Sequence, residues 1–297
     1  MSSRLERLAE QRRIELVSNQ ADEVVERLNL SAPTDPLEIV ASERPFLRAG
    51  GSNLGNSYDG KLEYDQSRNR FLLFFNSKYD EGMPSGEHHP RTRFSISHEL
   101  GHYFIEEHRA YLMQPGAKSH PSRNEFRTGQ QIEREADAFA STLLLPTKMV
   151  KPIVNAQQLS IPRLCEIANR FNASLTSTMF RSVRLSHFPC AVSAIRQGQV
   201  AWTFVSDSMI EHGLYPKKSH LPRSAAKPFA DYQSGTLEKH EGEGLAGEWF
   251  STYDNDRLSE LVLLEEYVPA PYMDTLLVLL TMDEEDFEVD EADDEDD

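Results

Sequence analysis

Residues 98–102 read His-Glu-Leu-Gly-His, set between Arg93-Phe94-Ser95-Ile96-Ser97 and Tyr103-Phe104-Ile105, a run with the apolar spacing of a half-buried helix. No other feature constrains the fold as tightly. On a helix that turns about 100° per residue, His98 and His102 stand about 40° and one turn apart, so both imidazoles can reach one metal ion. Glu99 projects beside the pair, where ligation is awkward but holding and deprotonating a metal-bound water is not. That is the general-base role of a metallopeptidase. The pattern is the HExxH zinc signature in the helical setting it requires.

Catalytic zinc takes three protein ligands and leaves a fourth position for water. His108 follows His102 by six residues, but an Ile stands at 105 where a helix-breaking glycine would be needed. A helix continuing through Ile105 would turn His108 about 240° from His102 and about 9 Å along the axis, out of reach. The other source is Gln131 to Pro146, a strongly helical stretch stopped by its proline. Glu133 and Asp137 share a face there, so one carboxylate can ligate while the other accepts the Nδ1 proton of a ligand histidine. Glu135 faces away from both. A solvated acidic face is the competing reading.

These two blocks resemble the ImmA/IrrE metallopeptidases, which carry R-F-(S/T)-x-(A/S)-H-E-L-G-H-Y and, further on, E-x-E-A-(D/N)-x-F-A-x-x-L-L-x-P. Here they read Arg93 to Tyr103 and Glu133 to Pro146. Pro33 to Val40 resembles the family's short helix, and Gly60 to Tyr64 with Arg70 to Asn76 its hairpin; the likeness runs over about residues 30 to 185. It implies a zincin-like fold and one Zn2+ per chain, held by His98, His102 and Glu133, with Glu99 as catalytic base. The implied substrate is a helix-turn-helix repressor, whose cleavage switches on a mobile element, a DNA-damage response or an anti-phage operon. A non-catalytic antirepressor or DNA-binding module with a structural zinc is the alternative.

The 297 residues are 39% hydrophobic, enough for two or three cores. The longest apolar run, Leu276 to Leu280, is too short to span a bilayer, and the charged amino terminus lacks a signal-peptide core. A cytoplasmic protein without membrane contact is expected. Cys165 and Cys190 form no disulfide framework and read as buried thiols. Of the net charge of −17, twelve acidic residues sit in Asp283 to Asp297, leaving −5 for the rest. Such a block repels itself and reads as a disordered tail. The polar stretch from Met113 to Gly129 reads as a long loop beside the metal, with Tyr111, His120 or Arg127 as oxyanion donors.

The expected architecture is α+β in four parts. Residues 1–150 form the zincin-like domain. Residues 151–187 form a helix-turn-helix-like segment, with Leu164, Ile167, Ala168 and Phe171 at helical spacing, an Asn172-Ala173-Ser174 turn, and Leu175, Met179, Phe180 and Val183 beyond it. Its Arg163, Arg170, Arg181 and Arg184 suit phosphate contact or simple packing. Residues 188–282 form a small α+β domain resembling a GAF-like sensor, with a hairpin about Gln197-Gly198 and strands at Gly247–Thr252, Glu260–Tyr267 and Leu276–Leu280. Residues 283–297 form the tail. In the third part, Lys217, Lys218, Arg223 and Lys227 with Tyr215 and Phe229 mix cations and rings as a single-stranded DNA contact would, which makes such DNA a candidate activator. A solvated loop is the plainer reading.

Overall fold

The computed structural model describes residues 2–116, 131–217, 219–237, 241–253, 255–270 and 273–287. They divide into two compact units, Met1–Met149 with Ile167–Thr178, and Val150–Glu166 with Met179–Asp297. Both mix helix and sheet, so the chain is α+β.

In the first unit, helix α1 (Ser2–Arg27) buries Val17, Ala21, Val24 and Val25, one stripe at helical spacing. Helix α2 (Pro36–Ser42) begins with a proline and is capped by Asp35, whose carboxylate accepts the Leu37 N–H at 2.9 Å. Three strands follow, β1 (Leu47–Ser52), β2 (Gly60–Asp65) and β3 (Arg70–Asn76). β3 lies in the middle, parallel to β1 and antiparallel to β2, so the expected hairpin is present. The inner side chains Leu47, Leu62, Phe71 and Leu73 are nearly fully buried. Helix α3 (Pro90–Phe104) packs onto this layer and is joined in turn by α4 (Glu106–Leu112) and by α5 (Gln131–Leu144), which also lies against α1. Each large apolar side chain removed from water there contributes about 1.5–3 kcal/mol.

Helices α6 (Thr147–Val154), α7 (Ile161–Phe171) and α8 (Leu175–Leu185) come next. The last two flank Asn172, which turns the chain at φ 48°. The division between units runs through both of them, so residues 151–187 do not stand as a segment of their own. Their arginines serve the protein itself. Arg163 donates to the Ile153 carbonyl, Arg170 and Arg184 lie over Phe171 and Phe204, and Arg181 is buried.

The second unit is built on a six-stranded sheet. Strands β4 (Cys190–Arg196) and β5 (Gln199–Val205) form a hairpin through Gln197 and Gly198, both at positive φ as a tight primed turn requires. Helix α9 (Asp207–Glu211), strands β6 (Tyr215–Pro216) and β7 (Ser219–His220), helix α10 (Ala226–Ser234) and strand β8 (Glu241–Leu245) follow. Then come helix α11 (Ala246–Trp249), strand β9 (Phe250–Ser251), helix α12 (Asp256–Glu260) and strands β10 (Val262–Ala270) and β11 (Thr275–Thr281). The order is β7-β5-β4-β11-β10-β8. β4 and β11 are buried on both faces almost throughout, which makes them the centre of the core.

Three sequence expectations need correction here. Gly247–Thr252 was expected as a strand; its first half belongs to helix α11, and only Phe250–Ser251 is extended, as β9. β8 was missed, since its Glu-Gly-Glu-Gly-Leu has little apolar content to mark it. The acidic block does not begin as a free tail: Glu284–Phe287 form a short 3-10 helix, with the Phe287 ring centroid 4.1 Å from that of His212. Residues 288–297 lie outside the described residues.

Beside β8 sits a buried carboxylate. Glu265 on β10 is 1% exposed and accepts hydrogen bonds from Trp249 Nε1 and Ser224 Oγ, each at 2.7 Å, and from the Tyr267 hydroxyl. Gly244 leaves room for it, since a Cβ there would land within the carboxylate. Cys190 is buried, which pushes its thiol up to about 11 and keeps it unreactive, while Cys165 is half-buried.

Candidate metal centre

Helix α3 is specified from its first turn. Pro90 opens it, and the His89 imidazole accepts the Arg91 N–H at 3.1 Å. Arg93 is buried, and its guanidinium donates to the Thr34 carbonyl at 2.6 Å and the Asn172 carbonyl at 3.1 Å, tying the helix to two other segments. Ser95 and Ser97 return their hydroxyls to the Arg91 and Arg93 carbonyls, so neither is left unsatisfied inside the protein. Gly101 faces α5. A Cβ there would meet the Ala136 Cα at 3.1 Å and the Ala136 carbonyl oxygen at 3.2 Å, so the two helices approach as glycine permits.

That approach sets the acidic residues of α5 against the imidazoles of α3. His98 Nε2 lies 3.1 Å from His102 Nε2 and 3.3 Å from Glu133 Oε2, and His102 Nε2 lies 3.6 Å from Glu133 Oε1. All three residues are buried. A tetrahedral zinc ion with bonds of about 2.0–2.1 Å holds its ligands about 3.3 Å apart, close to the edges of this triangle. Two imidazoles and a carboxylate are also a donor set that zinc favours. The residues present therefore fit the ion.

Asp137 Oδ1 lies 2.9 Å from His98 Nδ1. Burial alone would depress the His98 pKa, but hydrogen bonding to Asp137 and Glu133 and the charges of Asp137 and Glu99 outweigh it and raise the group to about 10. The pocket thus favours positive charge on the imidazole edge where a cation would sit. Glu99 is fully buried and shares a cleft with His102, His108, Leu62, Tyr111, Leu112 and Ile132. His120 and Arg127 lie outside the described residues.

His108 corrects the sequence reading. The helix does not continue through Ile105, which is extended (φ −70°, ψ 114°) and buries its side chain completely before α4 restarts at Glu106. Burial of that isoleucine supplies a break that neither glycine nor proline announces. His108 is thereby turned inward, and its Nδ1 sits 3.2 Å from His102 Nδ1, on the side away from Glu133. Its Nε2 is 3.2 Å from Glu135 Oε2. Glu135, set aside as facing away, is buried and also accepts from Arg13 Nε at 3.0 Å and Gln131 Nε2 at 2.8 Å. Burial pushes the His108 pKa down despite Glu135, favouring the neutral ring.

Of the cations proposed to meet DNA, Arg223 and Lys227 are exposed and Lys217 is engaged within the protein. Lys217 donates to the Gly247 carbonyl, and burial lowers its pKa; Lys227 lies 3.8 Å from Asp231; the Arg223 N–H bonds Glu248 at 2.8 Å. Lys218 lies outside the described residues.

An α+β domain that turns two histidines of one helix toward a glutamate of another, with a second glutamate in the adjoining cleft, suits the metallopeptidase class. Residues 84–182 match the model of the family Peptidase_M78, described as IrrE N-terminal-like domain, a stretch that includes all of these α3 and α5 side chains. Over this third of its length the chain is similar to the IrrE-like metallopeptidases. No curated protein matches it. Among solved structures, a Mycobacterium tuberculosis transcriptional regulator aligns over 91% of this chain and 76% of its own, at 10% identity and a TM-score of 0.47. Among the described residues no helix is long and apolar enough to cross a membrane.

Proposed function

We propose that this chain is a gluzincin-type zinc endopeptidase that cuts a helix-turn-helix transcription regulator. His98, His102 and Glu133 are its metal ligands, Glu99 its general base and Asp137 the group that orients His98. The observation that carries the reading is the convergence of three buried donors, at separations a tetrahedral ion requires, beside a cleft shared by His102 and Glu99. When bound, zinc polarises the scissile carbonyl and brings the pKa of water to about 7.

The chain's own residues do the rest. Asp137 accepts the His98 Nδ1 proton and leaves the Nε2 lone pair for the ion. Glu99 takes a proton from the attacking water and delivers it to the departing amine. Tyr111 is the expected oxyanion donor that lines the cleft among the described residues, and we assign it that role. The apolar walls Leu62, Leu112 and Ile132 keep bulk water from the reacting groups.

In this reading the second unit receives the activating signal. Its basic cluster offers single-stranded DNA little support, because Lys217 is engaged by a carbonyl and Lys227 stands beside Asp231.

The test is cleavage of a candidate helix-turn-helix regulator by zinc-loaded protein and by Glu99→Gln, each with and without single-stranded DNA. Cutting by the wild type alone supports the peptidase. A Glu99→Gln protein that relieves repression as well as wild type overturns it in favour of a non-catalytic antirepressor.

A further inference from the structure

We propose that His108 is a positioning residue for the metal centre: it fixes the ring of His102 through a relay that runs on to Glu135 and is braced by Arg13. The proposal rests on the zinc reading above.

Zinc ligation through His102 Nε2 requires its proton on Nδ1. That proton points at His108 Nδ1, 3.2 Å away, which must accept it. His108 is then obliged to carry its own proton on Nε2, and Glu135 Oε2 waits 3.2 Å from that atom. One tautomer thus satisfies both hydrogen bonds. Glu135 is itself held: Oε2 accepts from Arg13 Nε at 3.0 Å and Oε1 from Gln131 Nε2 at 2.8 Å. Arg13 is gripped in turn by Glu107, at 2.8 Å from its Nη2.

The two ligand histidines are consequently supported in different ways. His98 meets an anion directly, with Asp137 at 2.9 Å, whereas His102 meets a neutral ring with an anion one ring farther on, already partnered by Arg13. The relay joins α1, α3, α4 and α5, so ring orientation at the metal depends on packing among four helices. It also gives buried His108 and Glu135, each at most 5% exposed, a role that the catalytic scheme leaves open.

The experiment uses the full chain and zinc alone, with affinity read by competition against a chelator. His108→Leu and Glu135→Ala should each weaken zinc about 10- to 100-fold, as loss of a hydrogen-bond partner behind a metal ligand does. Because the two act in one chain, the double variant should lose little more than the worse single variant, while His108→Leu combined with Asp137→Ala should lose the product. Imidazole NMR of the zinc form should show His108 as the Nε2–H tautomer.

Unchanged affinity in His108→Leu, or an Nδ1–H tautomer at His108, overturns the relay. His98→Ala and His102→Ala separate this from failure of the zinc reading, since zinc binding that survives both removes the metal site itself. If His108→Leu fails to fold, His108→Gln, which keeps one acceptor and one donor, decides by retaining tight binding; loss of binding in a folded His108→Gln counts against the relay geometry.

Discussion

Replacing Gly101 by alanine tests whether close approach of α3 and α5 sets the metal geometry. The new Cβ would lie 3.1 Å from the Ala136 Cα and 3.2 Å from both the Ala136 carbonyl oxygen and the Phe139 Cβ. Carbon contacts are best at about 3.5–4.0 Å, so α5 must retreat by about 0.4 Å or more, and two of the obstacles are backbone that cannot rotate away. Overpacking of this kind costs about 1–3 kcal/mol, while alanine in place of helical glycine returns about 1 kcal/mol. The expected net loss of stability is therefore about 0–2 kcal/mol. The sharper effect falls on the site, because Glu133 and Asp137 ride on α5 and would leave distances of 3.3 Å and 2.9 Å to His98. A retreat of about 0.4 Å or more uses up most of the about 0.5 Å within which ligand geometry must be held, so zinc affinity should drop, by up to roughly tenfold, even where the fold survives. Chelator competition measures the affinity and urea unfolding of the apo protein the stability. Wild-type affinity in a Gly101→Ala protein would refute the idea that glycine holds the carboxylates at ligating distance.

Arg93→Lys keeps a charge but replaces a forked donor by a single ammonium, which cannot reach both the Thr34 and Asn172 carbonyls. It should destabilise the apo protein by about 1–3 kcal/mol in urea unfolding, and a change under about 0.5 kcal/mol would show that the clamp is dispensable. Glu107 supplies a pH test. The Arg13 hydrogen bond holds its carboxyl down at about 2, against an ordinary value of 4.5, so its contribution is present above that ordinary value and fades as pH falls toward 2. The stability gap between wild type and Glu107→Gln should be constant, at under about 1 kcal/mol for so exposed a pair, from pH 8 to about 5.5. It should shrink by pH 3, and a gap that does not shrink would contradict the assignment.

What could be read in advance followed from periodicity. His98, Glu99 and His102 lie on one unbroken helix and Glu133 and Asp137 on another, so their relative faces could be worked out before any packing was known. His108 and Glu135 escaped for a different reason. Local sequence gives Ile105 no turn signal, and its extended conformation depends on where its side chain is buried. Glu135 does point away from Glu133, as expected, yet α5 is flanked by α1 as well as α3, so the opposite face is interior too. A helix with protein on both sides hides the meaning of its second polar face. In the second unit, β4, β5 and β11 announced themselves by composition, whereas acidic, glycine-rich β8 is a strand only because β10 offers it a ladder.

The carboxylate of Glu265 carries a consequence for how this sequence can vary. Its three hydrogen-bond donors come from an indole, a serine and a tyrosine, and the space it occupies is the space a side chain at Gly244 would need. None of these positions can change alone: Gly244→Ala evicts the acid, and loss of the acid strands the Trp249 indole N–H in the core. A descendant could abandon the arrangement only by exchanging several positions together, through intermediates less stable than either end. Substitutions at residues 224, 244, 249, 265 and 267 should therefore be inherited as a block.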